Sequence, residues 1–450
     1  MQKKKRSKHY LRLITFLLLI TVLGAELFLL YQKNVLSTAS QPEIIPIPAL
    51  STISGNDSAG NPADEDSSDS VTAPEPVFQN KTIRLMAVGD NLMHMGVVYT
   101  GKQEDGSFNY EDLYDGISDF LEKADIRIIN QETIMGGNQL GFSGYPAFNS
   151  PTEVGDALCS VGFNVILQAS NHTADQGVAG MENCIAYWKQ HPEVLMTGLH
   201  EKETDLEDHQ IPILEIDDIH FAILNYTYGP NMGTIPSSMQ GRLDMLCAYD
   251  VSSGAIDFTR LNPQVLTDIA NAKEQADIVI VCPHWGTEYQ TTPSTYQKEF
   301  AQEMADAGAD VIIGTHPHVV QPVEWLEGMA GHKTLCYYSL GNYVSTQKDP
   351  ISMLEAMAWV SFDVTQDGVS VSRENSGVIP LVCHYSSGPV RIKRVYPLAE
   401  YTDELASSHG IRNYGKAPLS LKDLEQWSAD ILGDYVIESE TVLVDDISDS

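Results

Sequence analysis

Positive charge is scarce in this sequence. Its 450 residues carry 27 Lys and Arg against 61 Asp and Glu, a formal net charge of −34. Phosphate recognition needs clustered cations, so a chain this acidic is not expected to bind nucleic acid or to dock on an anionic lipid surface. Cysteine is scarce as well. There are six, at Cys159, Cys184, Cys247, Cys282, Cys336 and Cys383, and no two form a CxxC pair. Disulfides are permitted outside the cell, but so few in so long a chain make no disulfide scaffold. Cys282 and Cys336 lie in apolar runs and read as buried free thiols. No internal repeat is present. With 43% hydrophobic and 20% charged residues the chain is mostly globular, large enough for one big core or two ordinary domains.

The few cations are unevenly placed. Residues 1–35 hold seven (Lys3, Lys4, Lys5, Arg6, Lys8, Arg12 and Lys33) against the single acid Glu26, which leaves −40 on the rest of the chain. Residues 1–10 read as a basic cytoplasmic segment and residues 11–31 as a transmembrane anchor. The nearly unbroken apolar stretch 13–31 reaches about 28 Å as a helix, close to a hydrocarbon core of about 30 Å. Basic residues before such a span stay inside, so the remainder is expected outside the membrane as a single-pass protein. A cleaved signal peptide is the rival reading. Residues 32–80, with Ser, Pro, Asp and Glu and few large apolar side chains, read as a disordered linker. Residues 401–450 read as a helical, acidic extension.

Between them, residues 81–400 alternate short apolar runs with amphipathic stretches. Strands are expected at 83–88, 126–130, 165–168, 221–226, 277–282, 311–314 and 335–339, and helices at 152–161, 178–189, 262–274 and 295–307. This alternation predicts an α/β fold whose sheets are covered by helices. After residue 353 the strands run together and read as antiparallel.

In such folds ligand-binding groups gather on the loops at the carboxyl ends of strands, and polar clusters recur there. The first strand ends in Gly89-Asp90-Asn91, where Asp90 faces a cation or makes an Asx turn. The second ends in Asn130-Gln131-Glu132, with Glu132 a ligand or a solvated loop acid. The third is followed by Ser170-Asn171-His172, where Asn171 can lend a carbonyl oxygen and His172 a proton, or both can cap a turn. The fourth ends in Pro283-His284-Trp285-Gly286 with Glu288 beyond, and His284 is a ligand or is held by a backbone carbonyl. The fifth ends in Thr315-His316-Pro317-His318, two His that an extended loop would point the same way. The sixth ends in Leu340-Gly341-Asn342, a wall of the same cleft or an ordinary turn. Repetition of the arrangement points to one site. Oxygen and nitrogen ligands without Cys suit two divalent ions, Mn²⁺, Zn²⁺ or Fe. Such a pair activates water and stabilises an in-line displacement at phosphorus.

The order VGDN, INQET, SNHTADQG, HWGTEY, THPHVVQP and SLGNY resembles the CapA/PgsA branch of the calcineurin-like metallophosphoesterase superfamily, which serves poly-γ-glutamate capsule synthesis. The resemblance implies a β-sandwich flanked by helices (αββα), with the site at its edge. It implies that Asp90, Glu132 and His318 serve one metal and that Glu132, Asn171, His284 and His316 serve the other. His172 would be the general acid, and Asn130, Trp285, Glu288 and Asn342 would contact substrate. The implied partners are the membrane, an anionic polymer such as poly-γ-glutamate, and the subunits of its synthase. Glu132 stands where the superfamily has a bridging Asp, Asn130 where it has a carboxylate, and Ser170 where it has Gly. The intact His set favours a dinuclear hydrolase of phosphoester or polymer amide bonds; Asn130 and Glu132 in place of the superfamily's carboxylates favour the alternative, a non-catalytic polymer-binding or scaffold subunit.

Overall fold

The computed structural model describes residues 80–202, 210–414 and 418–443. The expected anchor and linker lie outside them, as does the end of the tail. Among the described residues no helix is long and apolar enough to cross a membrane.

The strands run in chain order as β1 (Lys81–Asn91), β2 (Ile126–Asn130), β3 (Val165–Leu167), β4 (Leu195–Thr197), β5 (Ile213–Ile216), β6 (Ile219–Thr227), β7 (Cys247–Tyr249), β8 (Ile256–Leu261) and β9 (Ile278–His284). They continue as β10 (Val311–Ile313), β11 (Val323–Glu327), β12 (Lys333–Tyr337), β13 (Asn342–Val344), β14 (Leu354–Thr365), β15 (Gly368–Val371), β16 (Gly377–Ser386) and β17 (Arg391–Pro397). One mixed sheet has the order β17-β16-β14-β1-β2-β3-β4, with β13 on β1 and β15 on β14; a second has the order β11-β12-β10-β9-β6-β5. β7 and β8 form a separate ribbon. The five helices that matter here are α1 (Glu153–Val161), α2 (Gly177–Trp188), α3 (Pro263–Lys273), α4 (Thr295–Ala307) and α5 (Leu421–Ile431).

The expected strands and helices are all present, with ends shifted by a few residues. The strands not anticipated, such as β5 and β8, are half-exposed or exposed and carry no apolar run. α3 and α4 start where local chemistry dictates. Asn262 caps α3 ahead of Pro263, and Ser294 with Gln297 closes a capping box on α4.

The second sheet reads as continuous apolar runs because both of its faces are covered. Phe221, Ile223, Ile278, Ile280, Val311, Ile313, Leu335 and Tyr337 join the core shared with the first sheet. Their neighbours Ala222, Leu224, Val279, Val281, Ile312 and Cys336 pack instead with Val265 and Ile269 of α3 and Phe300 and Met304 of α4. The period of two thus places the second sheet between the first sheet and a helical layer. Phe221 meets Phe362 of β14 edge to face across the shared core, with centroids 5.1 Å apart. On the other face of the first sheet, Trp359 of β14 meets Phe120, and Leu424 of α5 is fully buried. Ile411, Leu419 and Leu432, from the region expected as an extension, are buried in the same core. All six cysteines are free thiols, five buried and Cys159 partly exposed.

A histidine pair lies under β16. His384 Nδ1 is 2.7 Å from the Tyr401 hydroxyl, and His409 lies between the Cys383 carbonyl and the Ile411 amide. Burial lowers both side chains from 6.5 to about 4. The unfolded chain therefore binds more protons than the native one between those values, and this contribution to stability is lost as pH falls from about 6.5 through about 4. Urea unfolding at pH 7 and pH 5 is expected to show a smaller loss of stability in a His384→Gln/His409→Gln variant than in the wild type. An equal loss would show that the pair does not titrate on unfolding.

Candidate metal centre

β1, β2 and β3 are parallel neighbours in the first sheet, and β9 and β10 are parallel neighbours in the second. Their carboxyl ends meet at one edge of the sandwich. Two features bring them close. Asn225 of β6 accepts a hydrogen bond from the Ala169 amide after β3 and donates to the Cys282 carbonyl of β9, clamping the two sheets together. Gly89 of β1 lies so near the 339–342 loop that a Cβ would strike the Gly341 carbonyl, and that approach lets the Asp90 amide donate to the same carbonyl at 3.0 Å.

Seven of the expected side chains are gathered there, all 5% exposed or less: Asp90, Glu132, Asn171, His172, His284, His316 and His318. Their donor atoms form two groups able to hold an ion. One is Asp90, Glu132 and His318; the other is Glu132, His284 and His316. Glu132 belongs to both. Its Oε1 lies 3.8 Å from His318 Nε2, 3.9 Å from His284 Nε2 and 3.9 Å from His172 Nε2. Asn171 Oδ1 lies 2.9 Å from His284 Nε2, at the edge of the second group.

The two His of the 315–318 loop arrive differently from the expectation. An extended HxH would alternate and send both rings the same way, but His316 has φ 97° and His318 φ 57°. Left-handed backbone at two non-glycine residues is costly. Here it sends His316 to one group and His318 to the other. His316 is further tied by its amide, which donates to Asp90 Oδ2 at 3.2 Å.

The polar accounting is incomplete in a telling way. Both carboxylate oxygens of Glu132, the Oδ1 of Asn130 and the Nδ1 of His316 are buried with no hydrogen-bond partner. A buried carboxylate without a partner costs several kcal/mol unless a cation faces it, so this donor set fits divalent ions. Burial raises Glu132 well above the ordinary carboxylate range, with His318 opposing and Asp90 reinforcing the shift. Burial would lower His318, but Glu132 and Asp90 outweigh it and raise that imidazole to about 9. His284 and His316 go well below 6.5 through burial and neighbouring His. Both are thus neutral, the form a metal takes. The second ring nitrogen of His284 is held by Thr315 Oγ1 at 2.9 Å, leaving Nε2 toward Glu132.

His172 stands apart in chemistry. Its Nδ1 lies 2.7 Å from Asp175 Oδ2, its ring is edge-on to Phe148 at 4.6 Å, and Asn231 Nδ2 lies 3.2 Å from Nδ1. His94 meets Phe148 edge to face and lies outside both donor groups.

The residues expected at the substrate have different fates. Asn130 donates to Asp90 Oδ1 at 2.7 Å, and Asn342 Oδ1 lies 3.0 Å from His318 Nδ1. Both therefore brace candidate ligands from within. Glu288 is exposed and acts on Glu132 only through its charge. Trp285 does not face the cluster. It follows the last residue of β9 and is buried in the helix-facing core, with its indole N–H donating to the Tyr338 carbonyl. Trp285 instead lines a cavity of about 360 Å³ with Tyr228, Phe258 and Tyr296. Tyr228 also packs against His316, with centroids 4.7 Å apart.

Glu355, Asn225 and Asn231 were not anticipated. Glu355 is fully buried on β14 and accepts from the Asn342 amide. A lone acid inside the apolar run SMLEAMAWV is the signal that could have found it. Asn225 and Asn231 carry no such signal.

Residues 84–347 match the family of bacterial capsule synthesis proteins, PGA_cap. The chain belongs to that family. It is 32% identical over 192 residues to the PGA biosynthesis protein CapA of Bacillus subtilis (strain 168), an alignment covering 42% of this chain and 44% of that protein. It is 33% identical over 197 residues to the capsule biosynthesis protein CapA of Bacillus anthracis, covering 42% of each. The chain thus spans less than half the length of these relatives in the matched part. A Staphylococcus aureus crystal structure, assigned as a 5'-nucleotidase and solved with alpha-ketoglutarate, superposes at TM-score 0.39 and 15% identity, over 77% of this chain and 59% of that one. Nothing about function follows from a likeness that low.

If the orphaned carboxylate is a metal ligand, Zn²⁺ or Mn²⁺ added to chelator-treated protein will raise the thermal midpoint. Binding at about 1,000 times Kd contributes about 4 kcal/mol, which is several degrees for a domain of this size. Glu132→Gln is expected to reduce that rise, and an undiminished rise in the variant would remove Glu132 from the ligand set.

Proposed function

We propose that this family member is a two-metal hydrolase with a metallophosphoesterase-like αββα sandwich, acting outside the cell in the making or export of a poly-γ-glutamate capsule. The observation that carries the reading is Glu132, buried without a hydrogen bond and common to two donor groups. Asp90, Glu132 and His318 would hold one ion, and Glu132, Asn171, His284 and His316 the other. Mn²⁺, Zn²⁺ or Fe suits such oxygen and nitrogen ligands. When bound, two such ions supply Lewis-acid polarisation and a water of lowered pKa.

The chain's own residues do the rest. Asp175 accepts the Nδ1 proton of His172 and orients the ring, as the carboxylate does in other His-carboxylate dyads. Nε2 of His172 is then the atom that turns toward the Glu132 cluster and gives its proton to a leaving group. Phe148 and Asn231 restrain the ring from either side. Asn130 and Asn342 keep Asp90 and His318 in place. The bond broken is a phosphoester or a γ-glutamyl amide. Family membership and the capsule-related names of the Bacillus relatives support the capsule role. The apolar run at residues 11–31 supports a membrane anchor that places the domain outside and close to a synthase.

His172→Ala is expected to lower turnover of a phosphoester or γ-glutamyl substrate by about 10²–10⁴-fold, while metal content stays at the wild-type level. His316→Ala/His318→Ala is expected to lose the metal itself. Bound metal with no turnover in the wild type, and capsule formation unaffected by His172→Ala, would overturn catalysis in favour of a polymer-binding scaffold.

A further inference from the structure

A second donor cluster lies between α1 and the segment that follows α2. Cys159, in the last turns of α1, has its Sγ 3.5 Å from Nδ1 of His191. The same nitrogen is 3.2 Å from Glu193 Oε1. The three donor atoms all lie within 4.8 Å of one another. We propose that Cys159, His191 and Glu193 form a separate binding site for a single divalent transition-metal ion of the Zn²⁺ class, with solvent in the fourth position.

Three observations bear on this. First, the spacing matches coordination. A tetrahedral ion with a thiolate at about 2.3 Å and an imidazole at about 2.0–2.1 Å sets the S and N about 3.5 Å apart, and an imidazole and a carboxylate about 3.3 Å apart. Both observed distances fall on those edges, and the Sγ and Oε1 pair lies within 4.8 Å. Second, the cluster is held from outside. Tyr187 packs at 4.8 Å on the His191 ring and Trp188 at 6.1 Å. The Tyr187 hydroxyl donates to Asp156 Oδ1 of α1 at 2.7 Å, fixing α2 against α1. Third, the exposures differ by residue. The His191 side chain is 24% exposed and that of Glu193 61%, so an ion can enter from solvent and the carboxylate can adjust to it. Cys159 is the one cysteine of the six not fully buried.

Burial, and then the carboxylates of Glu193 and Asp156, push the Cys159 thiol up to about 11. It is therefore a thiol rather than a reactive thiolate at neutral pH. On binding, the ion replaces the thiol proton, which passes to solvent, and no electron is transferred. The site would pin the end of α1 to the segment that follows α2. Since α2 begins at Gly177, directly after the Asn171–Asp175 loop, an ion here would brace the helix behind His172.

The sandwich-edge cluster contains no Cys, so a thiolate signature belongs to this second site alone and does not depend on the hydrolase reading. The test is Co²⁺ titration of the chelator-treated full chain, followed by absorption. Expected is a near-ultraviolet thiolate-to-cobalt charge-transfer band, saturating at one ion per chain. It should vanish in Cys159→Ser and weaken at least tenfold in apparent affinity in His191→Gln, with the weak visible bands of the His-carboxylate centre unchanged in both. No charge-transfer band with the edge centre loaded, or a band that survives in Cys159→Ser, would overturn the proposal.

Discussion

A buried carboxylate with nothing to accept is the constraint on which the rest of this molecule turns. Glu132 is fully buried, and neither of its oxygens has a hydrogen-bond donor. Transfer of such a group out of water is among the most costly steps a fold can contain. The surroundings accommodate it in a particular way. Nε2 of His318 and of His284 stand 3.8 and 3.9 Å from one oxygen, too far for hydrogen bonds and suited to sharing one cation each with it. In the metal-free protein, the raised imidazole of His318 is the nearest compensating charge.

Keeping that geometry requires two sheets to agree. Asp90 and Glu132 come from the first sheet, and the three His ligand candidates come from the second. Neither sheet alone builds a donor group. The clamp by Asn225, the close approach of Gly89 to Gly341, and the chain from Glu355 through Asn342 to His318 all act on this alignment. The large aromatic contacts across the shared core, Phe221 with Phe362 among them, keep the sheets in fixed relation. The left-handed backbone at His316 and His318 is tolerated for the same reason, since the surrounding structure leaves those residues no other conformation.

Much of the fold was legible because burial writes itself into sequence. A strand covered on both faces must be apolar at every position, and β9, β10 and β12 were read from that pattern. Strands with an exposed face, such as β8, carried no such mark. The candidate ligands were legible because each lies at the carboxyl end of a buried strand or in the loop just after it, where a polar residue stands out. A motif also groups residues whose side chains the structure sends to different places. His284 ends β9 and faces the donor groups, whereas Trp285, the next residue, is buried in the helix-facing core. Glu355 and Asn225 went unnoticed because their partners are distant in sequence: Ala169 lies 56 residues from Asn225.

What the sequence by itself determined is local: alternation of strands and helices, the helix caps at Asn262 and Ser294, and chemically capable residues at strand ends. These depend on the period of two, the period of 3.6 and the capping of orphan amides, all of which act over a few residues. Only the tertiary structure decided that the strand ends of two separate sheets converge, that Glu132 is common to two donor groups, and that Cys159 meets His191 across two helices. Those facts depend on which faces are buried against each other, and burial between distant segments is a property of the whole chain's packing that no single window contains.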